Sequence, residues 1–162
     1  MAVLGELLVP RRLVVVGETV NLVAFAIYMA VTLLFYGLFR PVNKEISLLA
    51  AIVSLLGSMV GILAVFHLAP SHLGPLWFSG PYCILIVWLI LRSTFLPRIL
   101  GAFLVLAGVG WLAYLSPVVA NALSSWIKGL GLLAEASLML WLVVKGVNER
   151  RWQEQAGKKE VM

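Results

Sequence analysis

Apolar runs of about 20 residues recur along this chain, each long enough to cross a hydrocarbon layer as one helix, and no other feature limits its fold as strongly. On that template the spans fall at 13–39, 46–69, 74–91, 98–116 and 127–145. Hydrocarbon leaves backbone polar groups no solvent partner, so each run must pair its own amides and carbonyls as a helix. The composition agrees, being 62% hydrophobic and 12% charged with a mean hydropathy of +1.05. A water-soluble sphere of 162 residues built this way would expose large apolar patches. The expected fold is all-α, a polytopic transmembrane bundle of about five spans forming one unit over 1–148, with a short solvated tail at 149–162.

The connections carry the signals of orientation. "RPVNKE" (40–45) and "RSTFLPR" (92–98) combine proline with cations, while "APSHLGP" (69–75) and "SPVVANALSSW" (116–126) are nearly uncharged. Nine Lys and Arg residues fall on the side of the first two turns and the tail, against Arg11, Arg12 and Lys128 on the other. The excess of cations predicts a cytoplasmic C-terminus and an external N-terminus in a cell inner membrane, with Arg11 and Arg12 on the disfavoured side. No small-residue cleavage site precedes them, so no cleavable signal is expected. The third span holds Gly80 and Pro81, and from Pro81 only 11 residues remain before Arg92, about 16 Å of rise. A kinked full span is expected there over a re-entrant entry.

The net charge of +5 sits in short clusters between apolar runs and forms no continuous stripe, which argues against nucleic acid and for anionic headgroups at Arg40, Lys44, Arg92 and Arg98. One cysteine, Cys83, excludes an internal disulfide, and with only His67 and His72 beside it no tetrahedral metal site is expected. No cofactor is expected either: Gly108, Gly110 and Ala113 have the spacing of a dinucleotide-binding turn, but they lie inside an apolar span with no strand before them.

Contacts between helices in lipid favour small residues that permit close approach. In the second span Ser47, Ala50, Ser54, Gly57, Ser58 and Gly61 share about a third of the helix circumference, a packing seam. On the first span Glu18, Asn21, Tyr28, Thr32 and Tyr36 fall within an arc of about 80°. This stripe supplies either interhelical hydrogen bonds or one wall of a hydrated cavity. Glu135 lies near the middle of the last span, where a charge costs about 2.5–3.5 kcal/mol that the surrounding Leu, Val and Met offset. A protonated acid hydrogen-bonded within the bundle is its expected state, with an ionised acid facing water or a partnership with the first-span stripe as alternatives. Trp77, Trp126 and Trp152 are expected as interface anchors and His67 at headgroup level.

Three stretches, "LFRPVNKEISLLAA" (38–51), "LRSTFLPRILGAFLVLAGVGWL" (91–112) and "GLLAEASLMLWLVVKGV" (131–147), resemble in order and spacing the bacterial multi-pass membrane proteins of the domain of unknown function 4386 family, over about residues 12–147. The resemblance implies a further N-terminal helix, which this chain is expected to lack, an acid in the last span at Glu135, and another acid early in a preceding helix at Glu18. Relatives often carry histidine where this chain has Tyr82, which weakens any shared histidine chemistry. The family brings no established activity.

The functional expectation is a non-enzymatic protein that binds or passes a small or lipid-like ligand in a polar pocket lined by Glu18, Asn21, Tyr28, Thr32, Tyr82 and Glu135. The alternatives are a membrane scaffold or partner subunit, pairing with another membrane protein or a second copy, and an enzyme using Glu18 and Glu135 as acid and base.

Overall fold

The computed structural model describes residues 11–70, 74–113 and 116–160, and among them every regular element is a helix. The chain runs through α1 (Arg11–Phe39), α2 (Lys44–Val65), α3 (Leu76–Arg92), α4 (Arg98–Ala113), α5 (Pro117–Val144) and α6 (Glu149–Glu160). Helices α1, α2 and the Ala122–Val144 part of α5 are long and apolar enough to cross a membrane. Helices α3 and α4 are equally apolar but have 17 and 16 residues, about 24–26 Å of rise. The molecule is a polytopic transmembrane helix bundle. Its perimeter is a collar of outward aliphatic side chains such as Leu34, Leu133, Val143 and Val144, each about 70% exposed or more, which is what lipid as solvent permits.

Helix ends follow local chemistry. Asn43 caps α2, its side-chain oxygen accepting from the Ile46 amide at 3.0 Å and satisfying one of the free donors of the first turn. Helix α3 begins at Leu76 and continues through Pro81, so its helical backbone extends beyond the 11 residues that follow from Pro81 to Leu91. The segment expected as a connection, residues 117–126, is instead the beginning of α5. Pro117 stands at its first position, where proline loses no needed hydrogen bond and presets the helical dihedral. At the other end Gly146, at φ 67°, turns the chain out of α5, its amide and that of Lys145 both donating to the Trp141 carbonyl.

Helices adjacent in sequence pack against one another throughout, α1 on α2, α2 on α3, α3 on α4 and α4 on α5. The small-residue seam of α2 is where the sequence located it: Ser47, Ala50, Ser54, Gly57, Ser58 and Gly61 are all buried. Closeness is the reason for the glycines. A β-carbon on Gly57 would lie 2.9 Å from that of Phe78, and one on Gly61 would run into the ring of Phe25. Side chains of α1 and α5, among them Tyr28, Val31, Glu135 and Leu138, line a small shared void.

Packing is uneven along the bundle. Toward the 40–43 and 93–97 turns the core is solid, with Phe39, Leu89 and Ile90 fully buried beside Phe35, Phe95, Leu100 and Leu138. Phe35, Phe39 and Phe95 stack in sequence at ring separations of 5.9 and 6.1 Å. The tail forms α6, which lies beneath this end. The Trp152 indole donates to the Leu38 carbonyl at 2.9 Å, Gln155 Oε1 accepts from the Thr94 amide and hydroxyl, and Arg151 donates to the Thr94 carbonyl. Trp152 is therefore packed under the bundle, whereas Trp77 and Trp126 face outward as interface residues do.

Candidate functional site

The opposite half of the bundle holds a cavity of about 290 Å³. It extends from Pro75 and Leu76, at the start of α3, down to Tyr82 and Glu135, so Pro75 to Tyr82 alone spans about 10 Å of depth. Four helices build it. Helix α1 contributes Ala24, Phe25 and Tyr28, α2 the seam residues Ser54, Gly57 and Ser58, α3 Phe78, Ser79 and Tyr82, and α5 Glu135. The seam's lack of bulk makes the room, and the aromatic side chains of the facing helices roof it.

Apart from Ser79 on α3, two sets of polar groups stand at or just below the cavity. Those of α1 and α2 satisfy each other: the Ser58 hydroxyl donates to the Ser54 carbonyl at 3.0 Å, the Thr32 hydroxyl donates to the Tyr28 carbonyl at 2.9 Å, and Thr32 and Ser54 meet at 2.6 Å. Because the one proton of Thr32 is used on Tyr28, Ser54 is the donor of that last bond. This set locks the register of α1 on α2. The second set is Glu135, Tyr28 and Tyr82, which converge on the cavity floor. The two rings lie 6.4 Å apart, inclined at 58°. Among the described residues, no hydrogen bond or ion pair within the chain reaches the Glu135 carboxyl or either tyrosine hydroxyl.

Below this floor the space closes. Between Tyr28, Tyr82 and Glu135 above and Ile86, Leu104 and Leu138 below, only about 30 Å³ remains, roughly the share of one water molecule. The cavity is blind toward the α6 end. On its flank it reaches the perimeter at α1, where Ala24 and Tyr28 are exposed.

The residues expected from the sequence separate accordingly. Tyr28, Tyr82 and Glu135 meet at one place. Thr32 is buried one turn deeper, in the packed layer with Tyr36 and Ser47, and serves as a helix-to-helix bond. Glu18 is half-buried and Asn21 exposed, and neither lines the cavity; Glu18 stands ten residues before Tyr28 on α1, about 15 Å away along the axis. The expected meeting of Glu18 with Glu135 is therefore not seen. By spacing Glu18 and Asn21 share a helix face with Tyr28, but Asn21 is exposed and the stripe extends beyond the depth at which the other helices form the floor. Ser79, with Ser54 and Ser58, was missed as lining; the α2 serines had registered only as packing residues.

At the far end Arg40, Lys44, Arg92 and Arg98 are all exposed, in or beside the two basic turns. The Arg92 guanidinium stacks 5.0 Å from the Trp88 ring, and Arg98 faces Arg151 across an open cleft of about 730 Å³ beneath α6. His67 is exposed just past α2, and His72 lies outside the described residues. No group of three or more His, Cys, Asp or Glu that could hold a metal occurs among the described residues.

These features define a class: a small polytopic helical membrane protein with a blind, acid-floored cavity in one half and a solid, basic-capped core in the other. The family model Domain of unknown function (DUF4386) matches residues 62–146, just over half of the chain and a stretch that includes Tyr82, Glu135 and the whole of α3 and α4. The chain belongs to this family. No curated protein and no solved structure matches it.

Proposed function

We propose that this is an inner-membrane protein that binds a small, lipid-like ligand in the cavity above Glu135, with its basic turns and α6 on the cytoplasmic side and the cavity in the outer half of the bilayer. The observation that carries this reading is the convergence of three hydrogen-bonding side chains without partners among the described residues, Glu135, Tyr28 and Tyr82, on a mostly apolar cavity of about 290 Å³. That is the composition of a ligand site: apolar walls for affinity and a few converging polar groups for orientation. A scaffold needs its buried polar groups paired, as Thr32 and Ser54 are; leaving an acid unpaired near the membrane centre has a cost that only an occupant or a role can offset. The closed floor supports binding over passage. An acid–base pair with Glu18 finds no support, since that side chain lies outside the cavity.

Native mass spectrometry of the full chain released from lipid discs tests the proposal. A co-purifying small molecule present in the wild type and lost in Glu135→Leu, with the variant equally folded, is expected; identical spectra without adduct in both would refute it.

A further inference from the structure

Building on that reading, we infer that the ligand is a lipophilic primary amine, bound as its ammonium ion between Glu135, Tyr28 and Tyr82. Charge points first in this direction: Glu135 is the one acid among the cavity-lining residues, and no Lys, Arg or His stands with it. An entering cation would supply the counter-charge that the chain withholds. Hydrogen-bond stoichiometry points the same way. An alkylammonium head has three donors and no acceptor, and the floor presents three oxygen-bearing side chains, a carboxyl and two phenols, none committed to a partner among the described residues. The tyrosine rings, 6.4 Å apart and tilted by 58°, are in contact with each other, so the head sits beside the pair, where a desolvated cation gains from a nearby aromatic face.

Lipophilicity follows from the walls and the mouth. Phe25, Leu76 and Phe78 line the cavity, which reaches the perimeter beside Ala24 and Tyr28. A molecule dissolved in the bilayer can enter tail-out and head-in. The volume of about 290 Å³, roughly that of ten water molecules in the liquid, admits a head with one short tail or a compact cage.

The test uses the full chain in lipid nanodiscs and tritiated 1-aminoadamantane, a compact lipophilic amine, with 1-adamantanol as the neutral competitor of the same shape. Saturable binding is expected, weakened at least ten-fold in Glu135→Gln, abolished by Ser79→Trp, which fills the cavity from its wall, and little affected by 1-adamantanol. Should Glu135→Gln fail to fold, Glu135→Asp keeps the charge but withdraws it by one methylene, and a several-fold weakening is expected there. If the alcohol competes as well as the amine while Ser79→Trp blocks both, the amine assignment is overturned and the cavity remains a ligand site. If Ser79→Trp binds as the wild type does, both are overturned. Absence of saturable amine binding to the wild type overturns the amine assignment and leaves the co-purification result to decide the cavity.

Discussion

Thr32 and Ser54 show how this membrane bundle uses hydroxyls. Thr32 donates to the Tyr28 carbonyl of its own helix at 2.9 Å and also accepts from Ser54 at 2.6 Å, tying α1 to α2 where lipid offers no alternative partner. Contacts of this kind average about 0.6 kcal/mol and reach about 1.7 kcal/mol. A double-mutant cycle of Thr32→Val and Ser54→Ala, followed by unfolding in mixed micelles, should return a coupling energy within that range; zero coupling would mean that the pair is not a bond in the membrane. His67 illustrates a different cost. It ends α2 at φ 57°, a left-handed conformation unfavourable for a side chain with a β-carbon. His67→Gly should therefore raise stability by up to about 1 kcal/mol, the relief of strain being partly offset by the freedom glycine gains when unfolded. At Glu135 the expectation is functional: Glu135→Gln should fold and melt as the wild type does, because no partner among the described residues depends on the charge.

Among the elements, α2 was the most legible in the sequence and α6 the least, for a physical reason. A packing seam is written in one helix by residue size at helical spacing, so Ser47 through Gly61 could be located without knowing their neighbours. Tail docking is written nowhere locally: Trp152 bonds to Leu38, 114 positions away, and nothing in either segment announces the other. The early part of α5 was obscured because Pro117, Asn121 and two serines resemble a loop until Pro117 is placed at a helix start. Two tests address the elements. Gln155→Ala removes the acceptor of the Thr94 amide, 3.2 Å away, so hydrogen exchange at Thr94 should accelerate while amides within α3 and α4 stay protected. Gly61→Ala drives a methyl group into the Phe25 ring, and overpacking of this kind costs about 1–3 kcal/mol; because Phe25 also lines the cavity, ligand binding should weaken together with stability.

For the molecule as a whole, the two halves differ in packing and in charge. The half bearing Arg40, Lys44, Arg92 and Arg98 has a solid aromatic core sealed by α6; the other half is hollowed down to Glu135. Cation counting predicts a cytoplasmic location for the basic half, so a cysteine introduced at exposed Lys44, in a Cys83→Ala background, should react with impermeant reagents only from the cytoplasmic side. The membrane nature and helix order were legible because lipid leaves the backbone few choices. The candidate site was legible only in part: helical angle brought Tyr28 and Glu135 inward, but angle carries no depth, and depth separates Tyr28 from Glu18 and Asn21. A density map of the chain in lipid discs, at a resolution that shows side chains, tests the cavity most directly. The predicted result is ordered non-protein density touching Glu135, Tyr28 and Tyr82, with none below Ile86; walls closed around a Glu135 bonded to a neighbouring helix, or a Glu135 turned out toward acyl chains, would contradict it.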